Sequence, residues 1–382
     1  MKQSLCLALS LGALGTSSVG YAQSSVTLYG VIDEGFQFTS NAGGNRGYRM
    51  VSGDTVGSHW GLKGSEDLGG GLKAIFQLEN GFDINTGAIG QSSRLFGRQA
   101  YAGLASDRYG TLTLGRQYDP TIDLWSSFTA PGNWIGNLGA HPHDSDNADW
   151  SVRIQNSVKY VSPTVSGFTA EALYGFSNEA GGFADNRMYS AAVQYQIGNF
   201  SAVLAYLKAN NPGNTPGGAM SSGESVFSGH SQQNIDAGVS YKFSNKLTVS
   251  VAYSHVDIYN PRSNVYFGTQ PAPGTQHSWK FDNVDINAQY YFKPDLWFGL
   301  AYIFTHAHIA TTTDNSTPNW HQVSAMLNYN LSKRTSVYVQ GAYQRATGST
   351  GTDFDVANIV GSASASSGRN QVVSRLGMMH RF

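Results

Sequence analysis

From Val26 to the last residue, apolar side chains recur at every second position, not every third or fourth. That period belongs to extended strands, whose successive side chains point to opposite faces. Asn283-Val-Asp-Ile-Asn-Ala-Gln-Tyr290 alternates without a break, polar at odd positions and apolar at even ones. Asn234 to Phe243 does the same, with Ile235, Ala237, Val239, Tyr241 and Phe243 on one face and Asn234, Asp236, Gly238, Ser240 and Lys242 on the other. Residues 168–176, 189–197 and, apart from Met326, 321–329 follow the rule. No run of roughly 18 apolar residues exists, which excludes a helical membrane span.

The connections between these strands alternate in length. Short ones at residues 67–71, 106–110, 162–167, 198–199, 244–246, 293–295 and 331–335 carry Gly, Pro, Asn and Asp, the usual turn formers. Between them lie longer polar stretches near residues 39–50, 83–92, 119–151, 177–187, 209–232, 258–280, 309–319 and 346–369. Seven turns and eight loops imply sixteen strands, with both chain ends on the short-turn side. This pattern predicts an all-β fold, a 16-stranded antiparallel transmembrane β-barrel with long extracellular loops and short periplasmic turns. In lipid only a closed sheet pairs all the backbone groups of its strands. Tyr174 with Phe176, Tyr241 with Phe243, and Tyr290 with Phe292 sit at strand ends, as aromatic girdles do. The polar alternate face is then expected to line water.

A soluble β-sandwich also alternates. The regular succession of long and short connections argues against it. So does the C-terminus, where Val372 to Phe382 runs to a final Phe with Leu376 and Met378 at spacing two, although His380 interrupts the series. Phe382 looks like a signal for outer-membrane assembly. Hydrophobic residues make up 40% of the chain and charged ones only 13%, with a formal net charge of −1, so a basic nucleic-acid surface is not its main design. Residues 1–22 read as a secretory signal: Lys2, a short apolar core Leu5 to Leu14, and Gly20-Tyr21-Ala22 for cleavage. The mature domain then spans 23–382 and loses Cys6, the single cysteine.

Several segments resemble the general porins of Gram-negative bacteria, especially the beta-proteobacterial branch. They are Ser25-Val-Thr-Leu-Tyr-Gly-Val-Ile-Asp33, Trp60-Gly-Leu-Lys-Gly-Ser-Glu-Asp-Leu-Gly-Gly-Gly-Leu-Lys-Ala-Ile-Phe-Gln-Leu-Glu79, Phe96-Gly-Arg-Gln-Ala-Tyr-Ala-Gly-Leu104, Gly115-Arg-Gln-Tyr-Asp-Pro120, Arg153-Ile-Gln-Asn-Ser-Val-Lys-Tyr160 and Met379-His-Arg-Phe382. The likeness covers the mature chain and is densest over residues 24–168. It implies a homotrimer in the outer membrane and a third loop folded into the pore. It also implies lipid and lipopolysaccharide outside, and small hydrophilic solutes and ions inside. The loop at about 119–151 carries Trp125, Phe128, Trp134 and Ile135, too apolar for free solvation, so packing against the inner wall is expected; an extracellular cap is the alternative.

A diffusion pore works by width and by the charges at its narrow zone. Alternation turns His59, Gly61 and Lys63 to water and Trp60 and Leu62 away from it. The resemblance places Arg98, Arg116 and Arg153 on a basic constriction wall; a surface ion pair is the plainer role for any one arginine. His59 stands where relatives commonly carry another arginine. Leu112 and Leu114 share parity with Arg116, so alternation alone would not turn Arg116 inward. Asp119 and Asp123 lie at the loop base, while residues 128–137 carry no carboxylate and Asp144, Asp146 and Asp149 follow on the return. The acidic wall is thin, which predicts a weak anion preference that rises at low pH. Glu79 is expected to pair with a nearby base or loop amide.

His306, His308 and His321 fall on the outer parity and lack a carboxylate or thiolate partner, so no metal is expected there or at His141-Pro-His143. No cofactor is expected. No Gly-x-Ser-x-Gly elbow and no phosphate loop occurs. The expected function is a general diffusion porin, not an enzyme. The alternatives are a substrate-selective porin of the same fold, with a preferred sugar, acid or aromatic solute, and a barrel enzyme using residues such as Ser254, His255 and Asp257.

Overall fold

The computed structural model describes residues 25–382, so the expected signal segment at residues 1–22 lies outside them. Sixteen strands close into one antiparallel barrel. They are β1 Ser25–Ala42, β2 in two parts (Asn45–Ser52 and His59–Gly69), β3 Leu72–Gly81, β4 Gln99–Ser106, β5 Gly110–Gln117, β6 Ile154–Val161, β7 Phe168–Gly175 and β8 Met188–Ile197. They continue as β9 Phe200–Asn210, β10 Ser231–Lys242, β11 Leu247–Tyr259, β12 Gln276–Lys293, β13 Leu296–Thr311, β14 Asn319–Asn330, β15 Thr335–Thr347 and β16 Asn370–Arg381. Each pairs with the next, and β16 returns to β1 in a register from Val31↔Arg381 to Thr39↔Val373.

Outward residues such as Leu204, Ile235, Ile286, Leu300, Leu327 and Leu376 are exposed, while their neighbours Asn234, Asp236, Asn283, Asp285, Gln322 and Ser324 are buried. This inverts the usual distribution of a soluble protein. It suits a barrel with hydrocarbon outside. The three expected girdle pairs are in contact, with ring centroids 4.8, 4.9 and 5.1 Å apart.

The seam carries the terminal residue. Phe382 and Gly30 exchange both backbone hydrogen bonds at 3.1 Å. A side chain at position 30 would run into the Phe382 ring, so glycine there lets the ring lie across β1. Just inside the seam, Asp33 is fully buried. Its Oδ1 accepts from the Tyr338 hydroxyl at 2.5 Å and from Arg375 at 3.2 Å. Its Oδ2 accepts the backbone N–H groups of Asp54, Thr55 and Val56 at 3.0, 2.8 and 3.1 Å.

Those three N–H groups belong to an excursion at residues 53–58 that alternation did not reveal. Both parts of β2 pair with the same edge of β1, and the excursion interrupts them. The long loop expected near residues 39–50 is instead a tight turn at Gly43–Gly44, with φ of +60° and +97°, and strands run through the rest of that stretch.

The longest connection, residues 118–153, folds inward as short helical turns at Thr121–Trp125, Ser126–Phe128, Pro131–Ile135 and Gly136–Gly139. Trp125, Ile135 and Leu138 are fully buried in it. The inner polar face of β12 to β14, expected to line water, is covered here by the loop. Asp285 accepts the Ala130 N–H at 2.8 Å, and Asn287 donates to Phe128 O at 3.0 Å. Asn283 donates to Ser145 Oγ at 3.0 Å, and Gln322 donates to Leu138 O and Ala140 O at 3.2 Å. The stripe is polar because it must satisfy a loop backbone that has left water.

His141 is the charged rivet of this contact. Its Nδ1 lies 2.6 Å from Asp146 and its Nε2 3.4 Å from Asp285. Burial opposes a charge on the imidazole, but the two carboxylates outweigh it and push His141 up to about 10. His143, two residues on, is caged by Phe267, Phe281, Trp320 and Phe354, and burial pulls it down to about 3. That cage belongs to an apolar cluster in which loop residues Phe227, Phe267 and Phe354 pack on Trp279, Phe281 and Trp320. At their long-loop ends, β12 to β14 are therefore apolar on the inner side as well.

Two outcomes follow from these contacts. Asp33→Ala strands the buried Arg375 and is expected to cost about 3–5 kcal/mol, read as a lower temperature for loss of the folded barrel band on gel electrophoresis. A raised His141 stabilises fully below about pH 6.5 and loses that contribution as pH climbs through about 10. Single-channel current noise is expected to grow over that range, and His141→Gln to be noisy at neutral pH without the pH dependence.

Candidate functional site

A cavity of about 680 Å³ lies between the inward loop and the barrel wall. Residues 53–57, His59, Glu79 and Arg98 form one side, and Tyr118, Trp150 and Arg153 flank it. Loop residues 131–137 and Trp297 face it, and Asn328, Asn330, Ser336 and Arg381 carry it toward the short-turn end.

Each charged group reaches this space by a specific local device. His59 opens the second part of β2, and its Nδ1 donates to Gly57 O at 2.7 Å in the excursion. That leaves Nε2 turned to Glu79 Oε2, 3.7 Å away. Arg98 precedes β4, and its Nε donates to Glu79 Oε1 at 2.6 Å. Glu79 also accepts from the Tyr29 hydroxyl at 2.9 Å, so one carboxylate is shared by several donors. Its expected pairing with a base is thus with Arg98. Arg153 precedes β6; its Nε and one terminal nitrogen donate to the Tyr118 hydroxyl at 3.1 and 2.7 Å, and the other donates to Ser151 O at 2.8 Å. No carboxylate lies within ion-pair range of Arg153 among the described residues.

The structure brings together three of the seven expected residues, His59, Arg98 and Arg153. The other four line no part of this cavity. Arg116 does turn inward, and a β-bulge explains how: the β5–β6 register slips between Gly115 and Gln117, with Gly115 at φ +140°. This resolves the conflict of parity with Leu112 and Leu114. Its side chain then donates to Gly97 O at 2.8 Å and pairs with Glu224, which also lies 3.6 Å from Arg94. Ser92 donates to Gly223 O at 2.6 Å beside them, so this cluster latches the 211–230 loop onto the β3–β4 connection. Lys63 stands nearer the short-turn end, with its Nζ 5.3 Å from the Tyr29 ring. Asp119 is buried at the loop base, accepting from the Thr121 N–H at 2.9 Å and from Ser190 at 3.3 Å. Asp123 pairs with Lys159.

Glu224 and Asp149 escaped the sequence reading as site residues. Glu224 is 108 positions from the arginine it meets, with no local pattern to link them. Asp149 lines the cavity and accepts from Ser151 Oγ at 2.8 Å; burial pushes its carboxyl above the usual range. Among the described residues no group of three or more His, Cys, Asp and Glu is arranged to hold a metal ion. His306 and His321 lie on the outer face, hydrogen-bonded at 2.7 Å to Asn319 and Tyr302 respectively. His255 pairs there with Asp282 at 2.8 Å.

A family profile described as Gram-negative porin matches residues 7–349. An outer membrane porin protein of Bordetella pertussis is 30% identical over 389 aligned residues, covering 90% of this chain and 94% of that protein. The major outer membrane protein P.IB of Neisseria gonorrhoeae is 28% identical, over 96% of this chain and 98% of its own length. Among solved structures, an anion-selective porin from Comamonas acidovorans shares the fold, with a TM-score of 0.71 over 94% of this chain and all of that one, at 24% identity. With a closed sixteen-strand barrel, a loop held in its lumen and relatives matched over nearly the whole length, the chain belongs to the Gram-negative porin family and is an outer-membrane channel.

Proposed function

We propose that this passive channel favours anions, and that Arg98, Arg153 and His59 set the field at its narrow zone. The observation that carries the reading is an imbalance. Arg98 and His59 share Glu79, Arg153 has no carboxylate in ion-pair range among the described residues, and the facing loop segment 131–137 carries none. The other two acids of the lining, Asp54 and Asp149, are both pushed by burial above the usual carboxylate range, Asp54 to about 7. Lys63, Lys242 and Arg381 sit at inward parity near the short-turn end and extend the positive field. The Comamonas neighbour is described as anion-selective. Arg116, Asp119 and Asp123 are assigned to holding loops, and Lys63 to the vestibule.

The channel works as a homotrimer in this reading, as a neighbour from Vibrio cholerae is described in a trimer form. The small outward residues Gly30 of β1 and Ala100 and Ala102 of β4 suit a protein contact better than lipid does. The remaining outer face meets lipid and lipopolysaccharide, the segment before Gln23 is removed on export, and Phe382 serves assembly. The Bordetella relative is named a porin, and no enzymatic role is proposed.

A reversal potential across a planar bilayer with a potassium chloride gradient tests the reading. Chloride is expected to be preferred, with the preference rising as pH falls from about 8 to 5. The sign follows because burial pushes Asp54 up to about 7 and Asp149 above the usual carboxylate range, and a proton added to either removes a negative charge from the lining. A unit charge 4 Å away acts with about 1 kcal/mol in water, so Arg153→Ala is expected to lower the chloride-to-potassium ratio roughly fivefold. Potassium preference at every pH would overturn the reading.

A further inference from the structure

We propose that the cavity is a weak binding site for aromatic carboxylates, benzoate-like monoanions, en route through the pore. This deepens the anion-preferring reading and rests on it. The first observation concerns Arg98. Glu79 occupies its Nε, and its two terminal nitrogens have no acceptor among the described residues. That is one open fork of donors, the arrangement that matches a carboxylate in two parallel hydrogen bonds. Arg153 adds charge, but each of its three nitrogens already donates once, to Tyr118 or Ser151.

The second observation is the aromatic lining. Tyr118 and Trp150 meet edge to face at 5.3 Å beside Arg153. Trp134 and Trp297 meet at 6.4 Å and 81° on the facing side. All four border the same cavity, with Met326 and Met379 among its apolar neighbours. Trp134 occupies the loop segment that faces the basic wall, so the approach of an anion there meets a ring instead of a charge. A cavity of about 680 Å³ is large for a bare ion and within the range of small-molecule sites.

The chemistry narrows the class. An inorganic anion has no use for four rings, and a neutral sugar has none for an open guanidinium. A phosphate dianion calls for more free donors than the single fork of Arg98. A planar ring bearing one carboxylate uses both features, the carboxylate at Arg98 and the ring against the indoles. Aromatic pairs contribute modestly beyond burial, and a conducting site must release what it binds, so occupancy is brief.

The test uses the native full-length channel in a planar bilayer. Benzoate, cyclohexanecarboxylate and acetate are added in turn to potassium chloride, and the concentration that halves the current is read for each. Benzoate is expected to block at a concentration about tenfold below acetate, with cyclohexanecarboxylate between them. Trp150→Leu and Trp297→Leu are each expected to cut the acetate-to-benzoate ratio severalfold, and Arg98→Gln to weaken the block by all three acids. Equal block by benzoate and acetate would overturn the site, as would a ratio that survives both tryptophan substitutions. If a variant fails to insert, the three-acid series on the native channel still decides. Reversal potential in the same bilayer separates the two ideas: chloride preference with no discrimination among the acids overturns the site alone, whereas potassium preference overturns the anion reading and the site with it.

Discussion

A strand in hydrocarbon has no water to satisfy its N–H and C=O groups, and an unpaired edge there costs several kcal/mol per group. The last strand must therefore find the first. In this chain that meeting does more than close the sheet. Phe382 pairs with Gly30, and a few residues along β1 the buried Asp33 gathers Arg375 and Tyr338 from the two strands arriving from the C-terminal end. The same carboxylate holds the backbone of residues 54–56 in the lumen. Asp54 O then accepts the Asn137 N–H at 3.0 Å, and Gly136, at φ +71°, lets the two backbones approach. Seam, excursion and loop form one chain of contacts, so barrel closure also helps to set the width of the passage.

The loop is held on its far side by a different kind of contact. Its anchor on β12 to β14 is a network of amides, hydroxyls and carboxylates with His141 at its centre. A net hydrogen bond contributes only about 0.5–1.5 kcal/mol, yet leaving its buried partner unmade costs more. Such a network therefore specifies one position for the loop more than it adds stability. Next to it the aromatic cluster around His143 fills the long-loop end of the barrel with apolar packing. The open space is left beside β2 to β4, where the arginines stand.

Much of the architecture was legible in the chain itself. Period-two alternation, the succession of turns and loops, and the terminal Phe382 are local properties, and each maps to one structural feature. The inward loop was legible because Trp125, Phe128, Trp134 and Ile135 are too apolar for water. His59, Arg98 and Arg153 were reached by resemblance and do converge on the cavity. Arg116 shows where this fails. Its partner Glu224 arrives from a distant loop, and the bulge at Gly115 leaves only a glycine as its trace. The 53–58 excursion was hidden for a related reason: its N–H groups are satisfied by Asp33, a residue of the neighbouring strand.

The amino-acid sequence by itself determined the class of object, a membrane barrel wet within and apolar without, because solvent preference acts residue by residue and alternation records it. The tertiary structure alone decided which polar residues face water and which hold the loop, since Asn283 at an anchor and Asn328 at the cavity obey the same parity. It also decided which arginines remain open to a solute. Both outcomes depend on distances between segments far apart in the chain, and such distances exist only after the cylinder has closed.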